Sequence, residues 1–330
     1  MPYIGKFIRK SLFVTYTPNN QRHEPKRRIE HRLIFTLNGF FDMKWERKTS
    51  KKFEDRRGMS GGSKAIVGGG IIGIVALLLT MFGGETGQVI GTVLQQTQTV
   101  TDSSEPVKTR DLSQEEITLG HFSEAVFVYN NETWDKIFRS SGQTYQEPGM
   151  VLFDDGVQTA CGTASSAVGP FYCPADQTVY MDLRFFEELH SRFGAKRGDF
   201  AIAYVIAHEV GHHVQTIVGT SQQIRSAQQG QNKAAANKLS VAQELQADFY
   251  AGIWASHHKD ILEERDIEIA ISAAEAVGDD AIQSRVQGHV QPETFTHGTS
   301  AERKYWFIKG YNTGNISQGD IQTILNSIQY

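Results

Sequence analysis

Hydrophobic positions divide the chain into stretches of different period. From Ala65 to Gly84 the run AIVGGGIIGIVALLLTMFGG spans 20 residues without a charge, which at 1.5 Å per residue is ~30 Å of helix, the thickness of a bilayer's hydrocarbon core. Five of its glycines (Gly68, Gly69, Gly70, Gly73 and Gly83) would each cost a water-soluble helix about 1 kcal/mol and are better tolerated in lipid. The pattern therefore predicts a transmembrane helix over 65–84 rather than a buried core helix. Residues 1–42 sustain no period over three turns, and 85–112, rich in Thr, Gln, Ser and Gly, have the composition of a solvated linker. A folded domain is expected over 113–330, long enough for one sizeable core. Within it the patterns predict helices near 113–129 and 131–141 and a small sheet over about 150–182 with a turn at Pro174–Gln177. A helix opening at Asp199 (DFAIAYVIAHEVGHHVQTIVG) and stopped by Gly219 follows, then another in which Ser240 and Gln243 form a capping box. A helical segment closes the chain. The fold class is α+β, mainly helical with a small sheet, preceded by one transmembrane helix.

Charge changes the picture of the N-terminal part. Residues 1–64 hold 16 Lys and Arg against 6 Asp and Glu, or +10, whereas 65–330 hold 17 against 31, or −14. A basic stretch before an apolar segment and an acidic one after it reads as polarity across a membrane and argues against nucleic acid, which the larger part would repel. The cluster Arg47, Lys48, Lys51, Lys52, Arg56, Arg57 and Lys64 lies immediately before the apolar run. By the positive-inside rule it places 1–64 in the cytoplasm and 85–330 on the periplasmic, extracytoplasmic side of the inner membrane, as a single-pass protein. Two cysteines, Cys161 and Cys173, flank a Gly- and Ser-rich loop. In an exported domain an even count favours a disulfide over two buried thiols.

Candidate chemistry concentrates on the two predicted helices. In His208-Glu209-Val210-Gly211-His212 the histidines stand one turn apart on one helix face, where two imidazole nitrogens can share a metal about 2 Å from each. Glu209 is turned about 100° away, placed to reach a metal-bound water without ligating the metal. A catalytic zinc needs a third protein ligand and an open position. Glu244 supplies a candidate: it shares a face with Asp248 at i,i+4 among Leu245, Ala247, Phe249, Ile253 and Trp254. Acids on so apolar a helix are costly unless paired, and a metal would pair Glu244 while the second N–H of a ligand histidine would pair Asp248. The alternative for both acids is a solvated helix face.

The combination of His-Glu-x-x-His with Glu-x-x-x-Asp on a second helix resembles the thermolysin-like gluzincins. More of the chain is similar to a bacterial family of neutral zinc metallopeptidases. The matching stretches are KFEDRRG (52–58), GPFYCPADQTVYMDLRFF (169–186), YVIAHEVGHHVQ (204–215), LSVAQELQAD (239–248) and VQPETFTHGTSAERKYWF (290–307). The resemblance covers 43 to about 315. It implies a membrane-anchored zincin-like fold with zinc ligands His208, His212 and Glu244 and catalytic Glu209. The family usually carries a cysteine just after the second motif and another near the C-terminus. Here those places are Phe249 and about Gly319, which is what loss of one disulfide would leave, and it makes Cys161 and Cys173 partners of each other. Members tend to start near the Met43-Lys44-Trp45-Glu46-Arg47 element, so residues 1–42 fall outside the resemblance, and the native product is open to a start there.

The remaining histidines divide by context. His213 is turned about 100° from His212 and reads as a supporting or surface residue. His257 and His258 end the second helix, where cations complement the dipole. His297, in Phe-Thr-His-Gly-Thr-Ser, is a candidate donor to a tetrahedral intermediate, with a hydrogen bond inside the loop as the rival reading. The expected function is zinc-dependent hydrolysis of peptide bonds in a peptide or protein substrate outside the cytoplasmic membrane, with Zn2+ activating a water and Glu209 moving its proton. The alternative is a catalytically inactive, membrane-anchored zinc-binding domain acting through a protein partner. An intact Glu209 argues against it, because a structural site has no use for a base beside the metal.

Overall fold

The structure, a computed structural model, describes residues 43–59 and 110–330. The transmembrane helix expected over 65–84 lies outside the described residues, as does nearly all of the expected linker. Among the described residues no helix is long and apolar enough to cross a membrane. The elements in chain order are β1 (Phe53–Asp55), α1 (Gln114–Ser140), β2 (Gly149–Leu152), β3 (Gly156–Thr159), β4 (Gly162–Ser165), β5 (Phe171–Cys173), β6 (Thr178–Met181), α2 (Arg184–Ser191), α3 (Asp199–Ile217), α4 (Thr220–Gln228), α5 (Lys233–Ser256), α6 (Glu264–Ala276), α7 (Asp279–Gln287), α8 (Ser300–Thr313) and α9 (Ile321–Ser327). The class is α+β and mainly helical, as the patterns predict.

Helix α1 begins where the Ser113 hydroxyl accepts the Glu116 N–H and the Glu116 carboxylate accepts the Ser113 N–H. It then runs unbroken for 27 residues, where a division near residue 130 was expected. At that point one asparagine bonds back to the carbonyl four residues earlier and the next bonds a tyrosine beyond the helix, so neither caps a break. Asn130 donates to the Val126 carbonyl at 3.0 Å and Asn131 accepts the Tyr145 hydroxyl at 3.0 Å. Helix α5 likewise starts earlier than Ser240: Asn232 caps it by accepting the Ala235 N–H at 2.9 Å. Ser240 sits inside the helix, where it accepts from Gln228 at 2.9 Å.

The four-stranded sheet has the order β1-β2-β6-β5, parallel except for the β5–β6 hairpin around Pro174–Gln177, and β3–β4 form a separate hairpin. A disulfide joins Cys161, in the β3–β4 turn, to buried Cys173 at the end of β5. Closing a loop of 12 residues limits the unfolded chain by roughly 3 kcal/mol. One core, with Phe127, Trp134, Phe200, Phe249, Trp254 and Trp306 fully buried, lies between the sheet and the helices. Helices α5 and α8 touch backbone to backbone: a Cβ added at Gly252 would stand 2.1 Å from the Phe307 carbonyl oxygen, and one at Gly310 would stand 2.1 Å from that of Phe249. Phe249 and Gly319, the places at which the resemblance leads one to expect cysteines, are neighbours: a Cβ at Gly319 would fall 2.2 Å from Phe249 Cδ1, so the phenylalanine ring occupies the space a side chain at 319 would need.

The largest departure from expectation is at the N-terminal side. The folded body does not start at 113, because residues 43–59 are built into it. Met43 is 3% exposed in the main core, and its N–H donates to Asp199 at 3.3 Å. Trp45 meets the Phe122 ring edge-on at 5.6 Å, and the Glu46 N–H donates to the Tyr129 hydroxyl at 3.0 Å. β1 then pairs with β2 in register Phe53↔Met150 to Asp55↔Leu152. Several of the basic residues read above as a membrane signal are occupied here: Arg47 with Glu124 at 2.7 Å, Lys48 with Glu132 at 2.6 Å, and Arg57 with Asp55 at 2.6 Å and with the Glu116 carbonyl at 2.9 Å. The charge asymmetry is, for these residues, complementarity within one body.

Candidate metal centre

Helices α3 and α5 cross with their faces nearly in contact because Gly211, inside the His-Glu-x-x-His motif, has no side chain. A Cβ there would stand 3.2 Å from the Ala247 carbonyl oxygen. This approach brings His208, His212 and Glu244 together, with one potential ligand atom from each within 4.8 Å of the others. His208 Nε2 lies 3.2 Å from one Glu244 oxygen and His212 Nε2 lies 3.4 Å from the other.

The far sides of both rings are anchored. His208 Nδ1 is 2.8 Å from Asp248 Oδ1, and His212 Nδ1 is 2.9 Å from Gln215 Oε1, whose amide nitrogen donates to the Gln243 carbonyl at 2.7 Å. Both partners are acceptors, so each Nδ1 carries a hydrogen and each Nε2 is turned to the Glu244 carboxylate. A proton on an Nε2, or a cation held between the three groups, satisfies this arrangement. Two imidazoles and one carboxylate form a donor set that suits zinc with one position left open.

Titration follows the same geometry. Burial lowers the His208 pKa, but Asp248 and Glu244 outweigh it and raise the group to about 10. His212 is also raised, through Glu244 against burial. Glu244 lies well below the usual carboxylate range despite burial, because both imidazoles face it. Glu209 goes the other way: burial pushes it up, only partly offset by the histidines. The arrangement thus holds one ionised carboxylate among the nitrogens and, beside them, a second carboxylate with raised proton affinity.

Asp248 is more than the partner of one histidine. It is fully buried and accepts from the Tyr204 hydroxyl at 2.5 Å and from Arg303 at 2.8 and 3.0 Å, and Arg303 also reaches the Tyr204 oxygen at 3.2 Å. Burial raises the Asp248 pKa, yet Arg303 and His208 hold the group down at about 2.

His297 borders the same cleft with its backbone fixed from behind. Asp279 Oδ2 accepts the N–H groups of Thr296, His297 and Gly298 at 2.7, 2.6 and 3.0 Å, and Asp279 Oδ1 lies 3.4 Å from His297 Nδ1. Burial lowers the His297 pKa, while Asp279 and Glu244 raise it to a net upward shift. Tyr204, Gln215, Asp279 and Arg303 were not singled out from the sequence. Tyr204 and Gln215 had a signal in helical spacing, four residues before His208 and three after His212, whereas Asp279 and Arg303 arrive from distant segments. His257 and His258 end α5 as expected, and burial lowers both, His258 to about 4; His258 packs on Tyr129 and Trp254, so it does not serve as a cation there.

The cleft over these groups measures about 600 Å³. Its walls are largely apolar, lined by Phe185 and Leu189 of α2, Ala273 of α6 and Val277 just after it, and Phe171 and Tyr172 of β5. Since β5 ends the sheet order, its outer edge has no strand neighbour among the described residues.

The family described as "Putative neutral zinc metallopeptidase" matches residues 43–322. The chain belongs to this family. The match begins at Met43, the first described residue. Among relatives, YpfJ of Escherichia coli K12 is 41% identical over 289 residues, 84% of this chain and 97% of that protein. Rv2575 of Mycobacterium tuberculosis H37Rv is 44% identical over 206 residues, 59% of this chain and 69% of that protein. No solved structure matches the chain.

Proposed function

We propose that this family member is a zinc-dependent peptidase that acts outside the cytoplasmic membrane. The observation that carries the reading is the convergence of His208 Nε2 and His212 Nε2 on the Glu244 carboxylate beside a second, buried carboxylate, all lining one cleft. His208, His212 and Glu244 would hold the zinc. When bound, zinc supplies Lewis acidity for a water and a carbonyl.

Glu209, its proton affinity raised by burial, accepts a proton from the attacking water and returns it to the leaving amine. His297, its backbone held by Asp279, donates a hydrogen bond to the negative charge that develops on the carbonyl oxygen. Asp248 and Gln215 keep both ligand histidines in one tautomer. The free edge of β5 offers backbone hydrogen bonds to an extended peptide, so that a substrate would lie as an added strand across the site. The Cys161–Cys173 disulfide supports an oxidising, extracytoplasmic compartment.

The test is hydrolysis of an unstructured peptide by the zinc-loaded full chain, with metal content measured in parallel. Glu209→Gln should keep zinc near wild type while turnover falls by orders of magnitude. Full turnover in that variant would remove Glu209 from the mechanism, and a wild-type chain that binds zinc but cleaves no peptide would favour the zinc-binding, non-catalytic role.

A further inference from the structure

The third histidine of the motif region, His213, is fully buried and does not face the metal. Its Nε2 lies 2.6 Å from the Gln146 carbonyl oxygen, which can only accept, so Nε2 carries the hydrogen and Nδ1 is an acceptor. The group 3.0 Å from Nδ1 is the hydroxyl of Tyr172, which must donate. Tyr145 and Tyr172 set their rings edge-on to the imidazole at 5.9 and 5.5 Å. His213 therefore ties the metal helix to two places on the sheet side: the segment leading into β2, and the middle residue of the edge strand β5. With His213 at the residue after His212, the tie fixes the edge of β5 relative to the metal ligands.

We infer that His213 is a positioning residue that, through the Tyr172 hydroxyl, sets the register and distance of the β5 edge over the zinc site and so governs the binding of extended peptides. The inference rests on the peptidase reading above. Its test measures equilibrium binding of a blocked hexapeptide and a blocked dipeptide with the same central residue pair to zinc-loaded Glu209→Gln full chain, with and without Tyr172→Phe. A net hydrogen bond of this kind is worth about 0.5–1.5 kcal/mol. Tyr172→Phe should therefore lower the ratio of hexapeptide to dipeptide affinity roughly three- to tenfold, and amide hydrogen exchange at 171–173 should accelerate. Loss of general stability would weaken both peptides alike and leave the ratio unchanged. An unchanged ratio with Glu209→Gln binding both peptides overturns the inference alone. If the chain without Tyr172→Phe binds neither peptide, the peptidase reading fails and the inference with it.

A separate observation bears on topology. The Arg110 N–H donates to the Gly58 carbonyl at 2.9 Å, and both residues bind Asp154, Gly58 by its N–H at 2.9 Å and Arg110 by its guanidinium at 2.7 Å. The chain thus leaves and re-enters the folded body at one point. The structure assigns residues 43–59 and 110–330 to the same side of a membrane, so a single crossing between them, with 1–64 cytoplasmic, does not accommodate the β1–β2 pairing. Lys51→Cys and Asn312→Cys, each exposed and made singly in the full chain, can be probed in spheroplasts with a membrane-impermeant maleimide. Equal labelling of the two is expected. Labelling of Asn312→Cys with protection of Lys51→Cys until lysis would overturn the assignment.

Discussion

The metal helices and the 43–59 segment are both held by charged side chains against apolar surroundings, but they encode their positions differently. On α3 and α5 the partners are one helical turn apart within each helix, so a period of 3.6 is enough to put His208 with His212 and Glu244 with Asp248. The 43–59 segment has no such local code. Its three-residue strand pairs with a strand 97 residues away, and its cations meet Glu124 and Glu132 on a helix that begins only at residue 114. A basic cluster next to an apolar run therefore has two physical readings, a membrane signal or one half of an ion-pair set, and only the tertiary partners distinguish them.

The contrast is sharpest at Asp248. As an orienting acid alone, its replacement by Asn would weaken zinc by roughly 10–100-fold and leave the fold unharmed. The buried Arg303 adds a second consequence, because its guanidinium loses the carboxylate it bonds among the described residues. Breaking one side of a buried ion pair costs about 3–5 kcal/mol. Asp248→Asn should therefore lower both zinc affinity in a chelator titration and the thermal midpoint of the zinc-free chain. An unchanged midpoint would separate Arg303 from the stability of the site.

The 43–59 segment should show the opposite profile. Trp45→Ala removes an indole packed on Phe122, at a cost of about 2 kcal/mol for a half-buried aromatic. The denaturation midpoint should fall while zinc bound per folded chain stays at the wild-type level. A wild-type midpoint in this variant would show that the segment contributes nothing to the core.

A smaller, pH-dependent effect lies where the segment meets α1 and α5. His258 packs against Tyr129, whose hydroxyl accepts from the segment, and burial lowers its pKa from 6.5 to about 4. The unfolded chain takes up this proton first, so the contribution is complete above pH ~6.5, declines as pH falls through 6.5 towards 4, and is flat below. Allowing for the ring's partial exposure, it amounts to about 1 kcal/mol. Denaturation curves at several pH values should show this slope in the wild type and lose it in His258→Gln. Equal slopes would remove His258 as the source.

What was legible follows the same division. The two-helix constellation, the β5–β6 turn and the mainly helical class rest on short-range periods and turn residues, and these appear where expected. The continuity of α1 past Asn130 goes with Asn130 bonding back to Val126 and Asn131 bonding Tyr145, neither of which ends the helix. The early start of α5 rests on Asn232, a cap outside the apolar pattern. Arg303 and Asp279 belong to the site only because α8 packs on α5 and the loop before it wraps on Asp279. No local period reports such packing.

One zinc ion is expected between α3 and α5, and anomalous diffraction at the zinc edge from crystals of the full chain locates it. A single strong peak should lie about 2.0–2.2 Å from His208 Nε2, His212 Nε2 and a Glu244 oxygen. A zinc-replete chain whose peak lies elsewhere, or on only one of these three side chains, would contradict it.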